Sequence, residues 1–532
     1  MAHAPPLSLT LWGVPFTVVS ILHIRMVEKK IGAIGLDADR TGDRDQHLGK
    51  IVTTPNSELA FVAAGQLAAG MRSGDVSSVE VVDDLLARVE ASQSSLNAFI
   101  TVCADDARAA AARADDSAAR GEDLGPLHGV PVSVKDIINT AGVRTTFGSR
   151  LMEDNVPGAD AVAVARLKAA GAIVVGKTTT PEFAHKLLTD APLFGTTRNP
   201  WNPDYTPGGS SGGSAVAVAA GMGPLSLATD AGASTRQPAA CCGIVGMKPT
   251  LGRLPHNQVP DGFANFIHLG VMARTVADAA LMLGVMAGPD GSDPFSLASA
   301  SGGSEGWTVN GDALNSIRGK RLAWRALLGN EALDGEVRTL CEHAIETLGG
   351  LGAEVEAIDD PVENAEPTWR VLQQSNWAAR FGKDVDANEK RMDPGFVAGI
   401  REGGKYSATQ LQQAMYKRTR IFRSTQAWFD EFDLIVTPTL SRPPLKADHK
   451  ASEPIDIEGV EAGDIRAAWV SYLNIFNLTG HPAVSVPCGW TAGGLPVGLQ
   501  IVGRWRDDAG VLAAAAALEQ ARPWAERRPG IR

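Results

Sequence analysis

The chain has 532 residues, of which 44% are hydrophobic and 20% charged, and its formal net charge is −11. These values exclude an intrinsically disordered chain, and an acidic balance without any Lys/Arg run argues against a nucleic-acid partner. Five cysteines are too few for a disulfide framework, and no CxxC or HExxH string indicates zinc. We therefore predict a reduced, cytoplasmic protein that needs no metal and no cofactor.

Residues 1–56 precede the globular pattern of the chain. Within them, residues 7–24 are largely apolar, but Pro15 interrupts the run and no Lys or Arg comes before it. A signal peptide needs a positively charged start, and a membrane helix needs about 20 clean apolar residues. We therefore predict a dispensable N-terminal extension over residues 1–56, followed by one domain over residues 57–532. A membrane anchor is the alternative for the extension.

From Ser57 onward, helical patterns alternate with short apolar runs. Ser77 and Glu80 form a capping box, after which apolar residues recur at helical spacing. Because no linker or repeat divides this part of the chain, the alternation predicts a single large α/β domain with helices on both faces of a sheet. The predicted helices include residues 105–120, 160–170 and 214–222. The predicted strands include residues 98–102, 130–134, 172–175, 321–324, 354–358, 434–436, 483–486 and 497–502.

Lys135 directly follows the predicted strand 130–134. An exposed lysine has a pKa of about 10.4 and is a poor base at neutral pH. At a strand end inside a glycine-rich site, loss of water contact would instead favour the neutral amine, which can accept a proton. Lys135 is therefore a candidate general base, and a solvated surface cation is the alternative.

Two turns rich in glycine and serine follow within a short stretch. The first is GGSSGGS over residues 208–214, and the second is AGAS over residues 231–234, at the end of a strand-like segment. Glycines let the backbone approach a ligand closely, and serines beside backbone N–H groups can supply a nucleophile, a proton relay and an oxyanion hole. The pair predicts an acyl-transfer site with Ser234 as the nucleophile, and an ordinary turn is the alternative.

Other patterns suggest different chemistry. Residues 171–178 match the phosphate-loop pattern G-x-x-x-x-G-K-[ST], but their apolar, β-branched centre predicts a strand, so nucleotide binding is not expected. Residues 208–212 match the G-x-S-x-G nucleophile elbow, which must follow a strand, whereas a proline-rich loop precedes them here. That pattern keeps a Ser/His/Asp esterase as a competing hypothesis, although His128 and His481 are predicted to be structural.

Several segments together resemble the amidase signature enzymes. The string GGSSGGSAVAVAAG, followed by TDAGASTRQPAACCGIVGMKPT, is similar to the signature block and keeps its serine spacing. GVPVSVKDIINTAGVRTTFGS is similar to the lysine segment of the family, and FNLTGHPAVSVPCGW is similar to a later one. The likeness covers residues 58–521 and implies a mixed, twisted sheet sandwiched between layers of helices.

The resemblance also implies a role for each residue of the two turns. Ser234 would be the nucleophile of an amide hydrolase, Lys135 the base, and Ser210, after a cis Gly209–Ser210 bond, the serine that relays the proton. Water would then hydrolyse the acyl-enzyme to an acid. The oxyanion hole would be formed by backbone N–H groups of Ala231, Gly232, Ala233 and Ser234, and the supporting residues would be Gly209, Ser211, Asp230 and Arg236.

Three positions depart from the common family pattern. Ala233 stands where glycine is usual, Thr235 replaces a common isoleucine, and Thr179 replaces a frequent asparagine. None of these changes removes a catalytic group. The added methyl of Ala233 narrows the site or requires a φ below zero there, so we expect the departures to affect substrate preference.

These features predict a free-standing amidase that acts on a small-molecule amide, such as an aryl amide or a carbamate. A monomer and a homodimer are both compatible with the sequence. The alternative is the glutaminase (A) subunit of an aminoacyl-tRNA amidotransferase, whose usual acidic signature is missing near residues 469–472. A scaffold that has lost its chemistry through Ala233 is a third hypothesis. Side chains that would suit an apolar acyl or aryl pocket, and a core equally well, are Trp369, Trp377, Phe381 and Trp469.

Overall fold

The computed structural model of the protein describes residues 59–298 and 313–530. The extension predicted over residues 1–56 lies outside these ranges, so its dispensability stays a prediction. Of the helices formed by the described residues, none has both the length and the apolar character needed to cross a membrane.

Short runs of β-branched and other apolar residues form the strands, and the eight predicted strands are all confirmed with small shifts at their ends. In chain order the strands are β1 (Phe99–Val102), β2 (Pro131–Lys135), β3 (Ile173–Thr178), β4 (Asp190–Ala191), β5 (Gly195–Thr196), β6 (Leu225–Asp230), β7 (Val245–Lys248), β8 (His268–Ala273), β9 (Arg321–Trp324), β10 (Glu354–Ala357), β11 (Leu434–Pro438), β12 (Ile455–Ile457), β13 (Val460–Gly463), β14 (Ala483–Trp490) and β15 (Pro496–Gly503). Eleven of them form one sheet in the order β1-β3-β2-β6-β8-β7-β14-β15-β11-β9-β10.

The sheet is mixed, and its parallel part positions the two segments that carry the candidate chemistry. Strand β2 lies between β3 and β6 and is parallel to both, with Val134 opposite Leu227. The carboxyl ends of neighbouring parallel strands meet at the same edge of a sheet. Lys135, which ends β2, is therefore brought beside the last residues of β6 and the turn that follows them.

Helices form where apolar residues recur at spacings of three and four residues. The predicted capping box is confirmed, since Ser77 accepts a hydrogen bond from the Glu80 amide and the Glu80 side chain accepts one from the Ser77 amide. The helices are α1 (Ala64–Ser73), α2 (Ser78–Leu96), α3 (Ala104–Ala119), α4 (Val162–Ala169), α5 (Gly212–Ala219), α6 (Arg236–Cys242), α7 (Val276–Met286), α8 (Gly335–Gly350), α9 (Glu366–Phe381), α10 (Val385–Asn388), α11 (Pro394–Gly403), α12 (Ala408–Glu431), α13 (Ser471–Thr479) and α14 (Asp508–Ala521).

The sheet separates two hydrophobic cores, because successive side chains of a strand point to opposite faces. On β11, Leu434 and Val436 belong to one core and Ile435 belongs to the other. Helices α1, α4, α7, α8 and α14 contribute to the first core, and α5, α6, α9, α11, α12 and α13 contribute to the second. The predicted α/β architecture, a large mixed sheet between two layers of helices, is confirmed.

Candidate active site

Lys135 is completely buried at the end of β2 and is surrounded by hydroxyl groups. Its Nζ lies 2.7 Å from Ser210 Oγ, 2.8 Å from Ser211 Oγ and 2.9 Å from Thr229 Oγ1. Burial lowers the pKa of Lys135 well below its usual value, and the negative charge of Asp230 opposes that shift only in part. The arrangement favours the neutral amine that a general base requires.

The partners of Lys135 differ from those of two other buried lysines. Lys177 donates to the backbone carbonyl of Ile138 as well as to the hydroxyls of Thr140 and Thr145, and Lys248 donates to the carbonyls of Pro249 and His481. A carbonyl only accepts hydrogen bonds, so it offers nothing to the lone pair of a neutral amine, whereas a hydroxyl both donates and accepts. Among the described residues, every hydrogen-bond partner of the Lys135 amine is a hydroxyl. Lys135 can therefore lose and regain a proton while its hydrogen bonds are kept.

Ser210 and Ser211 lie in the turn that precedes α5, and the Gly209–Ser210 peptide bond is cis, as the family resemblance implies. Ser211 Oγ donates to the carbonyl oxygen of Thr229 at 3.2 Å, so Ser211 must accept its hydrogen bond from Lys135. Within the described residues, the Ser210 hydroxyl is hydrogen-bonded only to Lys135. Its hydrogen is thus available for transfer, which suits a relay.

Gln237 connects the two turns. Its side chain is completely buried on α6, where Oε1 accepts a hydrogen bond from the Gly209 amide at 3.2 Å. The side-chain Nε2 donates to the carbonyl of Leu187 at 3.1 Å. Because α6 begins just after Ser234, the helix that follows the second turn also holds the first turn in place.

Ser234 lies on the turn after β6 and is 6% exposed. Together with Ser210, Thr229 and Ala231 it lines an open cleft. The Ser234 hydroxyl makes no hydrogen bond to residues 59–298 or 313–530, so the structure places it in the same cleft as Ser210 without a direct bond. Catalytic hydrogen bonds of this kind commonly tighten only when substrate binds.

The backbone of the second turn offers unpaired donors. Within the described part of the chain, the N–H groups of residues 231–234 have no hydrogen-bond partner, whereas the next amide, that of Thr235, donates to the Asp230 carboxylate at 3.2 Å. Ala233 does not adopt a left-handed conformation and is completely buried, so the turn accommodates its methyl group. Successive unpaired amides beside a candidate nucleophile are able to stabilise an oxyanion.

Asp230 and Arg236 form a completely buried ion pair behind the turn. Arg236 Nε lies 2.9 Å from Asp230 Oδ2, and its Nη1 also donates to Gln500 Oε1 at 2.8 Å. Burial alone would raise the pKa of Asp230, but the charge and hydrogen bonds of Arg236 lower it below the usual range. Because Thr235 donates to the same carboxylate, the pair fixes the turn that carries Ser234.

Replacing Asp230 by alanine is expected to lower the free energy of unfolding by about 3–5 kcal/mol, because Arg236 would stay buried without its counter-charge. Urea unfolding followed by circular dichroism measures this change. The matched control, Arg401→Ala, removes two exposed ion pairs, with Asp386 and Glu389, and should leave the unfolding midpoint nearly unchanged. A wild-type midpoint for Asp230→Ala would contradict the structural role given to this pair.

The structure brings Lys135, Ser210 and Ser234 to one edge of the sheet, and it adds Thr229, which the sequence analysis missed. Thr229 immediately precedes Asp230, which the sequence analysis named as a supporting residue, so the segment that contains Thr229 could be identified from the sequence. Its contact with Lys135 depends on the parallel register of β2 and β6, for which the sequence carries no separate signal.

Of the tryptophans proposed for an apolar pocket, Trp469 belongs to the core, where it donates to the Arg442 carbonyl at 3.0 Å. Trp369 belongs to the same core, but its indole donates to the carbonyl of Ala231. Trp377 and Phe381, which were proposed from the sequence, do line the cleft. Phe147 and Phe183, which were not, line it as well.

The fold does not support the competing motifs. Residues 173–178 of the phosphate-loop match form strand β3, so they are no phosphate-binding loop. Residues 199–207, which precede the G-x-S-x-G match, form no strand, so the geometry of a nucleophile elbow is missing there.

Among residues 59–298 and 313–530, no histidine ring is hydrogen-bonded to a serine of the cleft, so none offers an alternative base. His128 and His481 have structural partners, the carbonyl of Ala114 at 3.0 Å and Gln426 Oε1 at 3.1 Å respectively. His256, which the sequence analysis did not single out, does line the cleft. Burial lowers the pKa of His256 to about 4, and its ring makes no hydrogen bond to the described residues.

Comparisons with known proteins agree with this geometry. The family model described as Amidase matches residues 80–512. An acylamidase from Rhodococcus erythropolis is 36% identical over 473 residues, covering 88% of this chain and 98% of its own length. The A subunit of the glutamyl-tRNA(Gln) amidotransferase from Synechococcus sp. (strain CC9605) is 38% identical over 486 residues, covering 86% and 96%. The crystal structure of a bacterial aryl acylamidase of the amidase signature family is similar with a TM-score of 0.81 at 30% identity, covering 88% of this chain and 98% of that one.

Proposed function

The chain belongs to the amidase signature family of hydrolases, which act on carbon–nitrogen amide bonds, and we propose that it is a free-standing amidase for small-molecule amides. The observation that carries this proposal is the contact of completely buried Lys135 with Ser210, 2.7 Å apart, in the cleft that Ser234 lines. The five cysteines are free, which supports the proposed cytoplasmic location.

The proposed reaction begins with two proton shifts. Neutral Lys135 takes the hydroxyl proton of Ser210, and Ser210 takes that of Ser234. Ser234 Oγ then bonds to the carbonyl carbon of the amide, and the carbonyl oxygen becomes an oxyanion. The unpaired N–H groups of residues 231–234 would bind that oxyanion, and each such donor contributes about 10²- to 10³-fold in rate.

The tetrahedral intermediate then collapses. The carbon–nitrogen bond breaks while Ser210 gives its proton to the leaving nitrogen and recovers one from Lys135, so that an ester remains on Ser234. Water attacks the ester carbon, and its proton passes through Ser210 to Lys135. The ester carbon–oxygen bond breaks, the proton returns to Ser234, and the carboxylic acid leaves.

The cleft supports an amide with an aromatic or other apolar group. Phe147, Phe183, Trp377 and Phe381 line it, and aromatic side chains offer a large apolar area with a specific geometry. The likeness to an acylamidase and to a bacterial aryl acylamidase supports the same substrate class. We therefore propose aryl amides as the first class to test, with carbamates next.

Phe381→Ala is expected to raise KM for an anilide by about threefold to tenfold, because the aryl group loses one aromatic contact. The same variant should hydrolyse a small aliphatic amide with an unchanged kcat/KM, since such a substrate does not reach this wall. Steady-state kinetics with the two substrates measures both values. Equal losses for both substrates would contradict an aryl-binding wall.

The 38% identity to the A subunit of a glutamyl-tRNA(Gln) amidotransferase favours a second candidate, a glutaminase that works with partner chains. Such a component would show little activity alone.

The deciding experiment is a hydrolysis screen of the purified single chain against anilides, carbamates, fatty amides, small aliphatic amides and glutamine, with Ser234→Ala run in parallel. Hydrolysis by wild type that Ser234→Ala abolishes supports the free-standing amidase, whereas inactivity until partner chains are added supports the amidotransferase. Size-exclusion chromatography of the same sample distinguishes a monomer from a homodimer.

A further inference from the structure

Trp369 contacts the candidate oxyanion turn from outside the signature block. The residue belongs to α9, and its side chain is 4% exposed. The indole Nε1–H donates to the carbonyl oxygen of Ala231 at 2.7 Å. A tryptophan that lies 138 positions away in the chain therefore holds the first peptide unit of the turn.

That contact also determines the direction of an N–H group. The carbonyl of Ala231 and the amide of Gly232 belong to one planar peptide unit. In a trans peptide the C=O and N–H bonds point in opposite directions, and this bond is trans. A donor that holds the Ala231 oxygen on one side therefore directs the Gly232 N–H to the other side. The Gly232 N–H has no hydrogen-bond partner within the described residues.

The indole is itself held in place. The guanidinium of Arg466 lies 3.3 Å from the ring centroid of Trp369, and Arg466 Nε pairs with Glu366 at 2.8 Å. Glu366 also accepts a hydrogen bond from Asn474 at 2.7 Å. A cation on a partly desolvated indole is stabilising, so ring and guanidinium fix each other.

The turn packs directly against this pair. A Cβ added at Gly232 would lie 2.9 Å from Arg466 Nη2 and 3.0 Å from Trp369 Nε1, distances that a side chain rarely tolerates. Gly232 is therefore required here for close approach. The peptide unit has little room to rotate while Trp369 and Arg466 stay in place.

We propose that Trp369 is a positioning residue of the oxyanion hole, which orients the Gly232 N–H through the Ala231 carbonyl. The inference rests on the proposed amidase function. Arg466 and Glu366 hold the indole in the orientation that this task requires. The interaction matters most when the oxyanion forms, because only then does the Gly232 N–H meet a full negative charge.

Trp369→Phe tests the proposal, since it removes the indole N–H and keeps an aromatic ring. We expect kcat for an anilide to fall about tenfold to 100-fold while KM stays within about threefold, the pattern of an interaction made only in the transition state. A trifluoromethyl ketone, whose carbonyl carbon accepts Ser234 Oγ to give a bound oxyanion, should lose affinity by the same factor as kcat. A purely structural role for Trp369 would not produce this parallel loss.

The matched control is Trp524→Phe. Trp524 is also 4% exposed, and its Nε1 donates to the backbone carbonyl of Arg274 at 3.0 Å, away from the cleft. This variant should keep the wild-type kcat and ketone affinity. If Trp369→Phe does not fold, Arg466→Met is the second test. It removes the guanidinium that packs on the indole, while Glu366 keeps Arg370 and Asn474 as partners and is not left buried without a hydrogen bond. It should lower kcat and ketone affinity together by a few fold.

Unchanged kcat and ketone affinity in a folded Trp369→Phe would overturn the inference while the proposed function stands. A loss confined to KM would overturn it as well, since the indole would then act on substrate binding. A wild-type chain that hydrolyses no amide overturns the proposed function, and the inference falls with it.

Discussion

Replacing Ser234 by alanine is expected to lower kcat by about 10⁶-fold, because the reaction would lose the atom that bonds to the substrate carbonyl. Backbone donors and substrate binding remain, so the residual rate should still exceed that of water alone. Steady-state hydrolysis of an active amide from the screen measures the loss. A fluorophosphonate probe, which reacts with activated serines, should label wild type at Ser234 and leave the variant unlabelled.

The control for this prediction is Ser226→Ala. Ser226 is completely buried on β6, the strand that leads to Ser234, and it is hydrogen-bonded to Ser133 at 2.9 Å. Its loss should leave activity and labelling near wild type. Label on Ser210 or Ser211 instead of Ser234 would contradict the assignment and favour the esterase hypothesis.

Replacing Lys135 by methionine should lower kcat/KM by about 10²- to 10⁴-fold, the usual contribution of general acid–base catalysis. Methionine has a similar length and no amine, so the buried volume stays filled. Lys135→Arg should be equally impaired, because a guanidinium keeps its proton in proteins. Activity near wild type in the arginine variant would show that position 135 acts only through its positive charge.

The pH dependence gives an independent test of the same group. An ordinary lysine has a pKa of about 10.4. Burial lowers the pKa of Lys135 well below that value, so its amine loses its proton at a lower pH. The neutral form is the base, so kcat/KM should rise with pH through this lowered pKa and fall as acid protonates the amine. Residual activity of Lys135→Met should lack that acidic limb. If kcat/KM of Lys135→Met still falls at acidic pH as it does in wild type, the titrating group is not Lys135.

The parts of the fold that were predictable from sequence are those with a local cause. β-branched residues in the segment before Lys135 favour a strand, and the glycines around Ser210 and Ser234 indicate tight turns. Matching the signature block then implied roles for these residues, and the structure brings their side chains to one edge of the sheet. The capping box at Ser77 is local in the same way, since both of its partners lie within four residues.

The contacts that were not predictable depend on strand order and on helix packing. Thr229 reaches Lys135 only because β6 lies beside β2, although 94 positions separate the two residues. Trp369 and Trp469 are both buried tryptophans with a bonded indole N–H, so composition and periodicity do not distinguish them. Both pack in the same core, but Trp369 donates to the candidate oxyanion turn and Trp469 donates to Arg442. That difference arises from where α9 lies on the sheet.

Gln237 has a mechanical consequence for the two serines. It sits on α6, which starts two residues after Ser234, and its amide oxygen holds the residue that precedes Ser210. The proposed nucleophile and relay are therefore both attached to one short helix. We expect thermal displacement of that helix to move both hydroxyls in the same direction, so that the distance between them changes less than the position of either one. The spacing on which proton transfer depends is thus protected from motions of the surrounding domain.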